Sequence, residues 1–158
     1  TINSYKRINA PVTDSGATWS PNTITYSDNN RTHMIRVPGS GRFELRLMDG
    51  ATNPYLLQAG IIAAGIDGID NNRNPGKPSF LNMYAEAHKA KNAKKLPKNL
   101  ETALSHLSKS KVMNKAFSKE TINSYVKLRS LDIKDFKKSK DSKKKGITEW
   151  EKLNTLDC

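Results

Sequence analysis

The sequence predicts an α+β fold, an antiparallel β-hairpin followed by a mostly α-helical C-terminal region. Three observations carry this. Arg42-Phe43-Glu44-Leu45-Arg46-Leu47 alternates polar and apolar residues with a strict period of two, directly after a Gly39-Ser40-Gly41 turn. Asn53-Pro54 then opens a stretch that is apolar nearly all round. Beyond Pro97, leucines and alanines recur at helical spacing. The chain has 158 residues, enough for one domain with its own core.

Residues 1–29 read as loops and short strands, punctuated by Pro11, Gly16, Pro21 and Asn29-Asn30. Arg31 to Pro38 is the first strand of the hairpin and Arg42 to Leu47 the second. Asn53 is the expected N-cap and Pro54 the first residue of a helix reaching Ile69. With Leu56, Leu57, Ile61, Ile62 and Ile66 spread around it, that helix is expected to be buried on most sides. Gly65 and Gly68 are expected to admit close neighbours and to help end it. Residues 70–80 form a Pro/Gly/Asn loop. A second helix starts near Asn99 with Leu100, Ala103, Leu104 and Leu107 on one face. A third carries Val112, Ala116, Ile122 and Val126, with an internal start at Ser118 to Glu120. Lys137 to Lys145 is a charge run, and Trp150-Glu151 is expected to cap the last helix.

Net charge is +12, and it is uneven. Residues 1–88 hold eight basic against seven acidic side chains, and residues 89–158 nineteen against eight. A basic stripe of that size attracts phosphate backbones, which raises a nucleic-acid-binding module as one function class. The basic half, however, has a single arginine, Arg129, and its few aromatics do not interleave with the lysines as a stacking platform requires. The lysines therefore read as a solvated face. No apolar run approaches the roughly 20 residues of a membrane span, and the N-terminus lacks the pattern of a secretory signal. Cys158 is the only cysteine, which excludes an intramolecular disulfide. The expected setting is cytoplasmic, with neither membrane nor nucleic acid as partner.

The chemistry concentrates in the hairpin. By strand parity Arg42, Glu44 and Arg46 share one face, Phe43 and Leu45 the other, with the latter pair expected to pack under the Asn53–Ile69 helix. The preceding strand adds Arg31 and Arg36, and Arg7 lies upstream. Arginine presents a planar fork that matches phosphate and carboxylate. One carboxylate among several guanidiniums is over-neutralised unless anions and a hard cation share the site. The pattern points to a nucleotide–metal–acid site; the competing reading is an exposed cross-strand ion-pair ladder. His33, on the opposite parity to Arg36, reads as a packed or solvent-facing histidine rather than a ligand.

Ser4-Tyr5-Lys6-Arg7, Asn30-Arg31-Thr32, Ile35-Arg36-Val37-Pro38, Arg42-Phe43-Glu44-Leu45-Arg46 and Asn53-Pro54-Tyr55-Leu56 stand in the order found in glutamine synthetase catalytic domains. Ala63-Ala64-Gly65-Ile66-Asp67-Gly68-Ile69 continues the likeness. The chain thus resembles the C-terminal part of that catalytic domain. Ser15-Gly16-Ala17-Thr18-Trp19 and the Trp150-Glu151 ending are similar to the subclass called type III, which is close to the γ-glutamylmethylamide synthetases.

The resemblance implies an ATP-dependent ligase. Glutamate's γ-carboxylate is phosphorylated, and ammonia, or methylamine, displaces the phosphate. It implies Arg7, Arg31 and Arg46 as glutamate-binding, Arg31 also as catalytic, and Arg31, Arg36 and Arg42 as ATP-binding. Glu44 is implied as a ligand of Mg²⁺ or Mn²⁺. It further implies that residues 1–69 carry active-site strands and the buried helix, and residues 70–158 the Lys-rich helices. A β-grasp domain precedes the catalytic domain in the family, and subunits form ring homo-oligomers with active sites between neighbours. On this reading the chain by itself is inactive. One departure stands out. Many members carry a flap Glu where this chain has Ile8-Asn9-Ala10-Pro11, and Asp14 is the nearest carboxylate. Asn82-Met83-Tyr84 occupies the place of a tyrosine that is modified in some relatives, without the Asp-Leu-Pro that follows it there.

Overall fold

The structure is a computed structural model that describes residues 2, 4, 5, 20–144 and 148–155. Arg7, Asn9, Asp14 and Cys158 lie outside the described residues. The chain forms two compact units. One comprises Asn3–Gly50 and Gly76–Lys98, the other Thr1–Ile2, Ala51–Pro75 and Asn99–Cys158. The helix that starts at Pro54 therefore groups with the C-terminal helices and not with the strands.

The first of these holds a three-stranded sheet ordered β1 (Tyr26–Ser27), β2 (Ile35–Gly39), β3 (Arg42–Leu45). β1 runs parallel to β2, and β2 antiparallel to β3, with Arg36 opposite Glu44 and Gly39 opposite Arg42. The hairpin is as the alternation predicted. Gly41 sits at φ +79°, a conformation open to a residue without a Cβ. Between Arg36 and Gly39 the register slips by one residue. Pro38 lies in that interval and has no N–H to give the ladder, so a bulge there removes no donor.

The first strand is shorter than expected, because Arg31 to Met34 are turns and bends. The cause is local. Asn30 Oδ1 accepts from the Thr32 N–H at 3.0 Å and the Thr32 hydroxyl at 2.8 Å, an Asx-turn that bends the backbone before the strand can start.

Among the described residues of this unit most buried side chains are polar: Ser4, Thr23, Ser27, Thr32 and His33 are buried, with Pro21 and Met83. Each buried polar group needs a partner; Thr25, Asp28 and Asn30 serve Thr23, Ser27, Thr32 and His33 locally, and the return segment 79–96 adds the Leu81 carbonyl, the Met83 N–H and backbone bonds to the strand region. Ser79 N–H donates to Tyr26 O, Ile24 N–H to Lys94 O and Leu96 N–H to Asn22 O.

The other unit is helical, with α1 (Pro54–Asp70), α2 (Leu100–Lys109), α3 (Lys111–Phe117), α4 (Lys119–Lys138) and α5 (Glu149–Thr155). The caps follow the sequence. The side chains of Asn53, Asn99, Ser110 and Ser118 each accept an N–H from the first turn of the helix they precede. Leu104, Ile122 and Ile133 form the buried apolar core. Every described lysine of residues 89–158 is exposed, as a solvated face requires.

Two expectations for α1 are corrected. It has no buried residue: Tyr55 is 81% exposed and Ile69 77%. An all-round apolar helix needs partners on every side, and within its own unit α1 packs against α3. Leu56 and Leu57 border a pocket of about 240 Å³ shared with Phe117, Ile122 and Tyr125. Gly65 and Gly68 neither admit close neighbours nor end the helix, since a Cβ at either meets nothing within 4 Å. The stop comes at Asn71, whose N–H reaches back to Asp67 O and Ile69 O, and at Asn72, at φ +47°. Phe43, expected to pack under this helix, is 60% exposed.

Trp150 and Glu151 do not cap α4 but open a helix of their own. Thr148 and Glu151 exchange hydrogen bonds, Thr148 N–H to Glu151 Oε2 at 2.8 Å and Glu151 N–H to Thr148 Oγ1 at 3.2 Å. Trp150 docks the new helix on α4, its indole N–H on Asp135 at 2.8 Å and its ring against Phe136 at 5.2 Å.

Ser118 separates α3 from α4 at φ 67°, ψ 151°. A side chain held in that region costs about 1–3 kcal/mol, whereas exchanging a Ser N-cap for Gly costs only about a few tenths. Ser118→Gly is therefore expected to stabilise the protein by about 1 kcal/mol. Ser118→Ala, which keeps the Cβ and loses the cap, is expected to destabilise it by about 1 kcal/mol. Urea unfolding of both variants separates the two effects.

Candidate functional site

The hairpin brings the predicted cluster together. Arg36, on β2, faces Glu44 on β3, and its Nη1 lies 2.8 Å from both carboxylate oxygens. Its Nε donates to Asn29 Oδ1 at 2.8 Å, and its Nη2 donates to the same atom. The Arg36 side chain is 13% exposed and that of Glu44 41%, so the carboxylate is the member of the pair turned toward solvent. Arg36 holds the Glu44 carboxyl below the usual carboxylate range, with Arg42 and Arg46 adding to the effect.

Arg46 follows β3, and its N–H donates to Met34 O at 2.9 Å. Its Nη1 donates to the backbone carbonyl of Arg31. Burial pulls Arg46 below the usual guanidinium value; Glu44 opposes that shift, and Arg36 and Arg31 reinforce it. Arg31, Arg36, Arg42 and Arg46 thus share one electrostatic neighbourhood in which Glu44 is the carboxylate. Among the described residues Arg31 and Arg42 form no ion pair. The ladder reading holds only for Arg36 and Glu44. A guanidinium matches the planar oxygen face of a carboxylate or phosphate.

The sequence reading overlooked three groups here. Asn29, read only as turn punctuation, orients Arg36. Tyr84, considered only as a modification site, acts electrostatically on Arg46. The third is the Leu81 carbonyl, which accepts from Asn30 Nδ2 at 3.1 Å and faces His33 Nε2 at 2.9 Å. Spacing in the sequence carries no sign of either relation, since Tyr84 stands 38 positions from Arg46 and Leu81 51 and 48 from Asn30 and His33.

His33 is packed, with no exposed surface. A carbonyl can only accept, so Nε2 carries the proton, and Nδ1 accepts the Thr25 hydroxyl at 2.8 Å. Burial lowers its pKa, against the opposing pull of the Leu81 carbonyl and Asp28.

A family model described as glutamine synthetase, catalytic domain, matches residues 1–151. The chain belongs to that family. A glutamine synthetase of Rhizobium leguminosarum bv. phaseoli is 52% identical over 99% of this chain and 34% of its own length. A glutamate–methylamine ligase of Methyloversatilis universalis is 38% identical over 99% of this chain and 34% of its own length. Among solved structures, GmaS in a complex with ADP (conformation 1) superposes with a TM-score of 0.79 at 49% identity. That match covers 100% of this chain and 35% of the other. The chain therefore spans about a third of the length of the relatives it matches, and its α+β fold is that of part of a glutamine synthetase catalytic domain. No helix among the described residues is long and apolar enough to cross a membrane.

The buried neutral histidine has a consequence for pH. The folded pKa lies below the unfolded value of about 6.5, so the unfolded chain binds more protons in the window between them. The stability His33 contributes is complete above about pH 6.5 and is lost as pH falls through the folded pKa. Urea unfolding at pH 7.5 and 5.5 is expected to show a loss of stability on acidification that is smaller in His33→Gln.

Proposed function

We propose that these residues form the C-terminal part of an ATP-dependent ligase that joins ammonia to the γ-carboxylate of L-glutamate through γ-glutamyl phosphate. The observation that carries this reading is the set of three arginines, Arg36, Arg42 and Arg46, around one half-exposed, ionised carboxylate, with Arg31 beside Arg46. Phosphoryl transfer from ATP to glutamate gathers several negative oxygens in one place. Its catalysis is mostly positioning and charge neutralisation.

In this reading Arg46 grips the glutamate carboxylate as a fork. Arg31 spans glutamate and the transferred phosphate, while Arg36 and Arg42 face the phosphates of ATP. Arg7 completes the glutamate contacts. Glu44 suits a divalent cation such as Mg²⁺ or Mn²⁺, being an ionised oxygen donor on the open side of its ion pair. Such a cation, when bound, spreads the charge of the phosphate in transfer. Among the described residues no three His, Cys, Asp or Glu side chains lie together, so Glu44 is one ligand of a set completed from elsewhere. Pairing with Arg36 keeps Glu44 charged and fixes its direction across the strands.

A glutamate–methylamine ligase is the second reading, favoured by the likeness to GmaS and by the absence of a Glu in the Asn9-Ala10-Pro11 segment. A carboxylate there would both attract ammonium and take its proton, and Asn does neither. In either case the active assembly is a ring of identical subunits in a cytoplasmic setting.

The test uses a chimera in which these 158 residues replace the matching segment of the R. leguminosarum relative, supplied with ATP, Mg²⁺, glutamate and each amine in turn. Ammonia is expected to give the higher kcat/KM. A methylamine value more than about tenfold above it reverses the assignment. In the same chimera Glu44→Gln is expected to lower kcat by about a hundredfold or more, because an amide is a poor ligand for a hard cation. Near-normal turnover would remove Glu44 from the metal. Arg46→Lys is expected to raise the glutamate KM about tenfold with kcat little changed, through loss of the fork.

A further inference from the structure

One buried side chain of the hairpin unit has no part in the ligase chemistry and yet ties together the two segments that border Arg46. The turn at 30–33 supplies the Arg31 carbonyl that receives Arg46 Nη1. The segment 81–84 ends in Tyr84, which belongs to the electrostatic surroundings of Arg46. Between these segments runs a closed set of hydrogen bonds. The Leu81 carbonyl accepts from Asn30 Nδ2 and from His33 Nε2, and Met83 N–H donates to Thr32 Oγ1 at 3.0 Å. Thr32 Oγ1 in turn donates to Asn30 Oδ1, and Tyr84 N–H donates to Asn82 Oδ1 at 3.0 Å.

We propose that His33 is a positioning residue for substrate binding, tying the 30–33 turn to the Leu81 carbonyl so that the Arg31 carbonyl fixes the Arg46 guanidinium in its glutamate-gripping orientation. The inference rests on the ligase reading for its kinetic consequence, though its structural content does not. His33 is the member of the set that reaches furthest. It bridges the Thr25 hydroxyl before β1 and the Leu81 carbonyl, and both of its ring nitrogens are used. An apolar replacement leaves a part-buried carbonyl with one donor fewer and the Thr25 hydroxyl with only Thr23 Oγ1 at 3.4 Å, and the segment relaxes to find water. The guanidinium of Arg46 then loses a defined backdrop, and a misplaced fork weakens substrate binding before it affects chemistry at the phosphate.

The test compares His33→Leu with His33→Gln in the chimera, since glutamine keeps one donor and one acceptor. His33→Leu is expected to raise the glutamate KM about tenfold, with the ATP KM and kcat changed by less than about threefold. His33→Gln is expected to restore the glutamate KM to within about threefold of the parent. Equal losses in kcat and both KM values, or a glutamate KM unchanged in His33→Leu, overturn the proposal. Should His33→Leu fail to fold, Thr25→Val removes the bond to Nδ1 and the 3.4 Å contact with Thr23 Oγ1 while keeping the imidazole on Leu81. A rise in the glutamate KM is then expected, and parental kinetics in Thr25→Val overturn the proposal. If the parent chimera shows no ligase activity, hydrogen exchange decides. The amides of Met83 and Tyr84 are expected to exchange at least about tenfold faster in His33→Leu or Thr25→Val, with those of Leu104 and Ile122 unchanged. Unchanged exchange at Met83 and Tyr84 overturns the inference, separately from the failure of the ligase reading.

Discussion

The hairpin unit depends on a constraint that an apolar core would not impose: most buried side chains among its described residues are polar, so their donors and acceptors need partners. With Pro21 and Met83 buried beside Ser4, Thr23, Ser27, Thr32 and His33, hydrophobic burial alone does not define the arrangement of these residues. Its geometry comes from hydrogen bonds that are directional and costly to leave unmade. The Leu81 carbonyl is where they converge, and the Asx-turn at Asn30 presents the side chains that meet it. A set of this kind admits one arrangement of the backbone. That is what a site needs when it must hold a guanidinium against thermal motion.

The arginine cluster uses that rigidity. Four guanidiniums near one another repel, and burial of Arg46 makes the repulsion worse. Glu44 relieves part of it through the cross-strand pair with Arg36, Asn29 takes two further Arg36 nitrogens, and the Arg31 carbonyl takes one from Arg46. The surplus positive charge is the part of the arrangement that folding does not explain, because a purely structural ladder would balance its charges. On the ligase reading we propose, anions that arrive with the substrates balance it. The match to the glutamine synthetase catalytic domain over residues 1–151 agrees with that account.

Legibility followed the range of the interactions. The hairpin, the Asn53, Asn99 and Ser118 starts and the arginine face were readable because each depends on residues within a few positions of one another. The early end of the first strand depends on an Asx-turn that is also local, and the Asn30-Arg31-Thr32 spacing carried it unread. The Thr148–Glu151 capping box was likewise written in the sequence, beside the 137–145 charge run, and went unread. By contrast, the exposure of α1 could not be read from its composition. Apolar residues state a demand for partners, and whether the partners are at hand is not a property of the helix.

What the residues determined by themselves was the α+β order of elements, the side of the hairpin that carries Arg42, Glu44 and Arg46, and the family. Strand parity and capping act over fewer than about five residues, and ordered motifs survive in the chain whatever it packs against. The tertiary structure alone decided that Arg36 and not Arg42 pairs with Glu44, because a register slip at Pro38 sets which residues face each other. It also decided that His33 is neutral and that the 81–84 segment borders Arg46. His33 and Leu81 stand 48 positions apart and Thr32 and Met83 51, and only folding brings such groups within hydrogen-bond distance.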